Sequence, residues 1–240
     1  TFILHFISPI MKKDVQKIWV ISLGGSRIVP DNVDEKFLTR FKKLIDSHPS
    51  KRFVVVTGGG TTARKYIGAL RKLDKSARAK AMAGIAVTRF HARFMARFFG
   101  ESANEEIPKN MKKIKDLLGK NQIVFCGGLR YRKNNTSDGT ASLISTYLKA
   151  PFINLTNVNG LYATNPQKNP KAKHIPKITW KKFEKITSKI KFTAGQHFVL
   201  DQTAAKTIQK KKIPTYIVGS LTAIDNILKG RKFKGTIIQG

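Results

Sequence analysis

The sequence predicts an α/β protein, a three-layer αβα sandwich with a mostly parallel central sheet. Two patterns predict this fold. Short apolar runs rich in β-branched residues alternate along the 240 residues with longer stretches at helical spacing, and three of the runs end in glycine clusters. Strands that alternate with helices in this way pair in parallel and are covered by helices on both faces. The length suffices for one large domain or two small ones.

In the first half of the chain, Phe37 and Phe41 lie one helical turn apart and predict an amphipathic helix. Thr61 or Thr62 is predicted to cap the helix that follows a triple glycine. The predicted strands are residues 18–23, 53–57 and 123–126. The other predicted helices cover residues 33–46, 76–99 and 111–118.

In the second half, Asp138, Thr179 and Asp201 each precede a periodic stretch and are predicted as helix caps. The predicted helices cover residues 138–149, 179–186, 201–211 and 221–228. The predicted strands are residues 152–155, 216–218 and 236–238. Residues 156–178 are predicted to form a polar loop.

The composition is strongly basic, with 46 Lys and Arg against 14 Asp and Glu and a net charge of +32. Such an excess attracts polyanions, namely nucleic acid, nucleotide phosphates or acidic lipid. A lysine-rich coding composition that reflects no ligand is the open alternative. The single Cys126 excludes an internal disulfide, and the histidines and the cysteine show no zinc spacing.

No apolar run approaches the roughly 18 residues that a membrane helix needs. Residues 1–10 are too short and too uncharged at their start for a secretory signal, and we interpret residues 1–16 as an N-terminal extension. We therefore expect a cytoplasmic protein with a single domain over residues 17–240.

Glycine clusters follow three of the predicted strands, as Gly24-Gly25-Ser26, Gly58-Gly59-Gly60 and Gly127-Gly128. Ligands of open α/β sheets bind beyond the carboxyl ends of the strands, where glycine lets backbone N–H groups approach phosphate oxygens. Three such turns in one domain indicate two phosphorylated groups that face each other, as phosphoryl transfer requires. A Walker A motif and a G-x-G-x-x-G after a strand are both missing from the sequence, which argues against P-loop and Rossmann proteins.

Several segments resemble the archaeal-type UMP kinases of the amino-acid-kinase superfamily, in order and in spacing. These segments are residues 23–26 (LGGS), 58–67 (GGGTTARKYI), 156–162 (TNVNGLY) with Asn165-Pro166, and 235–238 (GTII). The match covers about residues 18–238 and implies the carbamate-kinase-like fold of this superfamily. It also implies an acceptor-binding lobe over about residues 17–150 and an ATP-binding lobe over about residues 151–240.

The resemblance implies roles for individual residues. Asp138 would organise the transfer centre, and Arg64, on the first helical turn after the triple glycine, can donate to phosphate oxygens. The alternatives that remain open are a helix cap for Asp138, a surface arginine for Arg64 and ordinary packing for Tyr162. The residues that would bind ATP, together with Mg²⁺, are Gly25, Ser26, Gly60, Arg64, Thr156, Asn157, Tyr162 and Asn165. The positions that would bind UMP are Gly59, Ala81, Thr136 and Ser137. The family forms hexamers built from dimers, partly through its long third helix, so we expect a homo-oligomer.

The chain departs from the family at its acidic positions. Ala81 stands where family members carry an aspartate that holds the UMP ribose, and Asn159 and Asn165 also replace aspartates. Ser22 stands where bacterial relatives have a lysine, and Lys206 is either a replacement cation or a surface lysine. Loss of the contact at Ala81 would weaken UMP binding by about 1–3 kcal/mol, roughly 5- to 150-fold. We therefore hypothesise that ATP binding persists while acceptor specificity has drifted.

Basic residues cluster along the chain. Arg89, Arg93 and Arg97 recur on one helical face, lysines crowd residues 168–191, and residues 210–212 are three lysines. A solvated surface and a binding surface for RNA or a ribosome both fit this pattern. Phosphate contacts would make RNA binding strongly salt-dependent.

The function that these patterns favour is ATP- and Mg²⁺-dependent phosphorylation of a nucleoside monophosphate, UMP first, in pyrimidine nucleotide synthesis. One alternative is a catalytically weakened relative that binds RNA or a ribosomal surface. Another is a kinase for a different small phosphate or carboxylate acceptor, and the longer basic loop at residues 129–137 leaves the acceptor open.

Overall fold

The computed structural model describes residues 17–132, 135–164, 166, 169, 171–188 and 200–240. Its strands are β1 (Ile18–Leu23), β2 (Arg52–Thr57), β3 (Ile123–Cys126), β4 (Phe152–Leu155), β5 (Leu161–Tyr162), β6 (His174–Ile175), β7 (Lys177–Ile178), β8 (Thr215–Val218) and β9 (Gly235–Ile238). Its α-helices are α1 (Gly25–Ile28), α2 (Glu35–Asp46), α3 (Gly60–Lys72), α4 (Ala77–Phe99), α5 (Met111–Leu118), α6 (Ser137–Leu148), α7 (Trp180–Ser188), α8 (Gln202–Lys211) and α9 (Leu221–Leu228).

A seven-stranded sheet has the order β3-β2-β1-β4-β8-β9-β7. Every neighbouring pair in it is parallel except β8 and β9, which are antiparallel. The short strands β5 and β6 form a separate antiparallel pair. The mostly parallel central sheet confirms the predicted fold class.

Helices cover both faces of the sheet, because successive side chains of a strand point to opposite sides. In β1, Trp19, Ile21 and Leu23 are buried in an apolar cluster with α2, α4 and α9. Val20 points the other way and is buried in a second cluster with α5, α6 and α8. The sheet therefore lies between two helical layers, and its strand ends are left to form a site.

Two local predictions are wrong. α3 begins at Gly60, ahead of both Thr61 and Thr62, and no side chain caps it. Residues 156–178 are not one loop, because they contain β5, β6 and β7. Strands of two residues are too short to show a periodic pattern in the sequence.

The predicted caps Thr179 and Asp201 are confirmed. Oγ1 of Thr179 accepts a hydrogen bond from the amide of Lys182 at 3.3 Å, and Oδ1 of Asp201 accepts one from the amide of Ala204 at 2.8 Å. In the part of the chain that the structure describes, every helix is too short or too polar to cross a membrane. The proposed extension, residues 1–16, lies outside the described residues.

Candidate active site

Two glycine turns are in direct backbone contact at the carboxyl edge of the sheet. They meet side by side because β1 and β2, which precede them, are parallel neighbours. A Cβ atom on Gly25 would lie 2.4 Å from the carbonyl oxygen of Gly58 and 2.5 Å from the amide nitrogen of Gly60. Gly60 also has a φ of +57°, which L side chains rarely adopt. Both positions therefore require glycine, and backbone atoms form the contact between the turns.

An exposed arginine spans these two turns. Arg64 lies in the first part of α3, and its Nη2 is 3.0 Å from Oγ1 of Thr61 and 3.5 Å from Oγ of Ser26. Because no side chain caps α3, its first N–H groups are available to an anion at the positive end of the helix. The guanidinium group and these amides together can bind phosphate oxygens.

The third glycine cluster is explained by the packing of α4. A Cβ on Gly127 would lie 2.5 Å from the amide nitrogen of Arg89, and one on Gly128 would lie 2.9 Å from Cγ1 of Ile85. The Arg89 guanidinium donates to the carbonyl oxygens of Gly128 and Leu129, at 2.9 and 2.6 Å. Arg89 is thus held by the backbone after β3 and does not belong to an exposed row of arginines, contrary to the prediction.

Asp138 is the second residue of α6 and is not its cap, which corrects the predicted start of this helix. The cap is Thr136, whose Oγ1 accepts a hydrogen bond from the third amide of the helix at 3.2 Å. Ser22, a buried residue of β1, donates its hydroxyl to Oδ1 of Asp138 at 2.6 Å. Ser137 lies beside the second glycine turn, since its Oγ would be 3.4 Å from a Cβ on Gly58. The start of α6 therefore adjoins both β1 and the glycine turns.

A second carboxylate shares this end of the sheet. Although Asp138 keeps some exposed surface, burial raises the pKa of its carboxyl to about 7. The negative charge of Asp201 adds to the rise, and the hydrogen bond from Ser22 opposes it. Asp201 is buried and also accepts a hydrogen bond from the hydroxyl of Thr136. Asp201 therefore holds the starts of α6 and α8 together, while Asp138 titrates near neutral pH.

The loops after β4 and β8 extend the site on the other side of β1. The amide of Thr156, which follows β4, donates to the carbonyl oxygen of Val218 at 2.9 Å. Arg27 of α1 donates to the carbonyl oxygens of Thr156 and Gly219, each at 2.7 Å. Asn159 lies against the same loop, because its Oδ1 would be 2.6 Å from a Cβ on Gly219. The first glycine turn is thereby tied to both loops.

Other residues predicted for the ATP side are placed on or beside these loops. Oγ1 of Thr156 donates to Oδ1 of the exposed Asn157 at 3.2 Å. Tyr162, in β5, is half-buried, and the centroid of its ring lies 5.1 Å from that of His174. Asn165 lies outside the described residues.

α4 borders the second glycine turn on the proposed acceptor side. A Cβ on Gly59 would lie 3.7 Å from Cγ2 of Thr88. His91 is buried, with Nδ1 2.8 Å from the carbonyl oxygen of Gly58, so its role is structural. Ala81, two helical turns before Thr88, is half-buried and presents only a methyl group.

Two features of the site are missing from the sequence predictions. Arg27 follows Ser26 directly in a turn expected to hold phosphate, but a single arginine gives little signal among 46 basic residues. The bond between Ser22 and Asp138 joins residues 116 positions apart, so no local pattern could reveal it.

Apposed glycine turns, an arginine across them and a carboxylate at a helix start form a site for phosphate groups, which defines a protein of the phosphoryl-transfer class. The model of the amino acid kinase family matches residues 17–219, and the chain belongs to this family. Uridylate kinase of Thermococcus kodakarensis is 34% identical to it over 224 residues, which cover 92% of this chain and 98% of that protein.

Solved structures show the same fold. The crystal structure of uridylate kinase from Archaeoglobus fulgidus has a TM-score of 0.80 at 32% identity, and the match covers 92% of this chain and 99% of that one. The crystal structure of UMP kinase from Bacillus anthracis has a TM-score of 0.78 at 16% identity, with coverage of 93% and 96%. This second match bears on the fold alone.

Proposed function

We propose that the chain catalyses the ATP-dependent phosphorylation of UMP, which yields UDP and ADP. The observation that carries this proposal is the backbone contact between the turns at Gly25 and Gly60, with Arg64 across both. Two phosphate-binding turns in contact would hold donor and acceptor phosphates close enough for direct transfer. Similarity to uridylate kinases over more than nine-tenths of both chains supports ATP as the donor and UMP as the acceptor.

The two substrates would bind on opposite sides of the glycine contact. The proposed ATP-binding residues are Gly25, Ser26, Gly60, Arg64, Thr156, Asn157, Tyr162 and Asn165. The proposed UMP-binding positions are Gly59, Ala81, Thr136 and Ser137. We assign the acceptor lobe to about residues 17–150 and the ATP lobe to about residues 151–240, and the lobes join where β1 pairs with β4.

The transfer needs no general base. The second pKa of a phosphate monoester is about 6, so the UMP phosphate is mostly dianionic near neutral pH. One of its oxygens attacks the γ-phosphorus of ATP in line, a new P–O bond forms, and the bond to the bridging oxygen breaks as ADP leaves. Backbone N–H groups and Arg64 would stabilise the charge on the transferred group. Asp138 in its ionised form, held by Ser22, would organise the transfer centre.

Mg²⁺ would accompany ATP, and the carboxylates of the site fit such an ion when phosphates supply further ligands. Among the described residues, no group of three or more His, Cys, Asp or Glu side chains could hold a metal ion. Mg²⁺ in proteins is typically bound by one or two carboxylates together with substrate phosphates. Asp138, with Asp201 near it, would provide the protein's share, and the bound ion would neutralise phosphate charge.

Release of ADP from ATP and Mg²⁺, with UMP, CMP, GMP and AMP offered separately, tests the proposal. We expect turnover with UMP. Turnover with a different nucleotide alone would instead assign a changed acceptor to the site beside Ala81. Folded protein that turns over none of the four would contradict a nucleoside monophosphate kinase.

We also propose a cytoplasmic homo-oligomer, a dimer or a hexamer, that assembles through α3 and α4. Large apolar side chains on or beside these helices are exposed: Tyr66 at 60%, Leu73 at 67%, Met82 at 43% and Phe90 at 68%. Exposed apolar surface of this kind suits a contact with a second copy of the chain. Light scattering should give a multiple of 26.9 kDa. Phe90→Asp should lower that mass, whereas Val33→Asp, at another exposed apolar position, should not.

Nucleic acid is a second proposed partner, through the surface of α7 and α8. These helices run antiparallel, because Trp180 donates to the carbonyl oxygen of Ile213 at one end and Gln202 to that of Thr187 at the other. Glu184 is the single acidic residue within the two helices. The exposed lysines of this surface are Lys181, Lys182, Lys185, Lys206, Lys210 and Lys211. A polyanion would relieve the mutual repulsion of these lysines.

Binding of single-stranded RNA at salt concentrations between about 50 and 200 mM tests this partner. We expect affinity to fall steeply with salt, and the slope to shrink when Lys181, Lys210 and Lys211 are changed together to Gln. The same change at Lys36, Lys42 and Lys43 of α2 is the control. Binding that ignores salt would contradict a contact with phosphates.

A further inference from the structure

Arg27 joins the first glycine turn to both loops of the proposed ATP side. It follows Ser26 directly in α1, and its Nη2 donates to the carbonyl oxygens of Thr156 and Gly219, each at 2.7 Å. These two residues directly follow β4 and β8, the next two strands of the sheet beyond β1. One guanidinium group therefore links segments that are 129 and 192 positions away from it.

The surroundings of Arg27 are unfavourable for a residue that only fills space. The side chain is half-buried, and burial lowers its pKa, which the charge of Asp34 opposes. Its Nε is buried and has no hydrogen-bond partner among the described residues. The guanidinium carbon lies 5.8 Å from the centroid of the Phe37 ring. An uncharged side chain would avoid the free energy that burial of a charge and of an unpartnered Nε costs. The charge and the two hydrogen bonds of Arg27 therefore need another explanation.

We propose that Arg27 is a positioning residue for the donor nucleotide, and this rests on the proposed function. ATP would contact the turn at Ser26 through its phosphates and the loop at Thr156 through its nucleoside. Its affinity then depends on the relative placement of turn and loop, which Arg27 fixes through the two carbonyl oxygens. The positive charge of Arg27, one residue from Ser26, also favours anionic phosphates at the turn.

A positioning role differs from a purely structural one in what its loss affects. Loss of an arginine with a purely structural role would lower the stability of the fold and weaken the binding of both substrates to the same extent. Loss of a positioning arginine should weaken donor binding, leave the UMP side unchanged, and loosen the loops after β4 and β8. Faster hydrogen exchange at residues 156–162 and 219–221 would report that loosening without any substrate present.

The test compares Arg27→Met and Arg27→Lys with the control Arg40→Met, which removes an exposed arginine of α2. Calorimetric binding of ADP without UMP, the KM of each substrate, and hydrogen exchange of the nucleotide-free protein are measured. We expect Arg27→Met to weaken ADP about tenfold and to raise the KM of ATP by a similar factor. The KM of UMP should stay within about twofold, and Arg27→Lys, which keeps the charge, should recover part of the affinity.

Several outcomes would overturn the role of Arg27. ADP binding within about twofold of wild type in Arg27→Met is one, and equal loss of UMP and ADP affinity is another. If Arg27→Met does not fold, Arg27→Lys is the deciding variant. An ADP affinity and a loop hydrogen exchange equal to those of wild type in Arg27→Lys would contradict a positioning role. If the wild-type protein binds no ADP, the proposed function fails. The donor role of Arg27 then fails with it, whatever the hydrogen exchange at residues 156–162 shows.

Discussion

The hydroxyl group of Ser22 donates a 2.6 Å hydrogen bond to Oδ1 of Asp138, and so connects the first strand to the start of α6. This bond favours the ionised carboxylate and opposes the rise in pKa that burial and Asp201 cause. The hydroxyl group of Ser22 therefore keeps the pKa of Asp138 lower than burial and Asp201 alone would make it.

Replacement of Ser22 by Ala should move the pH dependence of transfer. Without the hydroxyl, the pKa of Asp138 should rise by about one unit above its value of about 7, because a hydrogen bond to the ionised form is lost. The acidic limb of the kcat/KM profile, measured with both substrates below saturation so that it reports the free enzyme, should shift to higher pH by the same amount. Ser47→Ala is the control, since that hydroxyl donates to the carbonyl oxygen of Leu44 outside the site. If the acidic limb of Ser22→Ala lies at the same pH as in wild type, the ionisation of Asp138 does not control phosphoryl transfer.

Replacement of Asp138 by Asn should abolish transfer and yet stabilise the protein above neutral pH. The raised pKa means that the folded chain holds this proton more tightly than the unfolded chain, where the pKa is near 3.8. Between about pH 4 and pH 7, folding takes up a proton, so the contribution of Asp138 to stability is lost as the pH rises through that window. An Asn side chain is neutral throughout and avoids this loss.

Thermal unfolding at pH 5 and pH 8 measures this effect. The Tm of Asp138→Asn relative to wild type should be higher at pH 8 than at pH 5, by several degrees. Asp116→Asn, at an exposed position, is the matched control and should show no such increase. An Asp138→Asn difference that is the same at both pH values would show that the folded-state pKa is ordinary.

Replacement of Gly25 by Ala should disrupt the site through sterics alone. The new Cβ would lie 2.4 Å from a carbonyl oxygen of the second turn, so the two turns must separate. We expect a loss of a few kcal/mol in the free energy of unfolding and at least a hundredfold loss of kcat/KM. Gly68→Ala is the control, because nothing lies within 4 Å of its Cβ inside α3. That variant should be stabilised by about 0.5–1 kcal/mol, and denaturant titration measures both.

The elements of the fold follow from local patterns, which is why the sequence predicts most of them. β1 has near-continuous apolar residues, and α4 shows helical periodicity over its whole length with Ser76 as its cap. Short strands such as β5 and β6 cannot be predicted in this way, because two residues define no period. Their pairing depends instead on Thr236, which contacts both: its hydroxyl accepts from the amide of Leu161 and donates to the carbonyl oxygen of Ile175.

The geometry of the site is less predictable, because it depends on contacts between distant segments. The need for glycine at Gly25 comes from a turn 35 positions later, at Gly60. Gly127 also belongs to a glycine cluster after a strand, but there the close approach of the α4 backbone accounts for the glycine. A glycine pattern therefore indicates a close approach of backbone without telling whether a ligand or a helix makes it.

Replacement of Ala81 by Asp should restore an acceptor for the ribose of UMP. Ala81 is half-buried on α4 and presents only a methyl group. The resemblance to archaeal-type UMP kinases implies an aspartate at this position. A restored hydrogen bond would lower the KM of UMP roughly 5- to 150-fold, with less gain for dUMP if the 2′-hydroxyl is the group bound. Val33→Asp, which places the same carboxylate at an exposed position outside α3 and α4, is the control. Steady-state kinetics with both acceptors decide. If Ala81→Asp is folded and leaves the KM of UMP unchanged, the acceptor does not lie against this part of α4, and the divergence at Ala81 reflects a different binding mode.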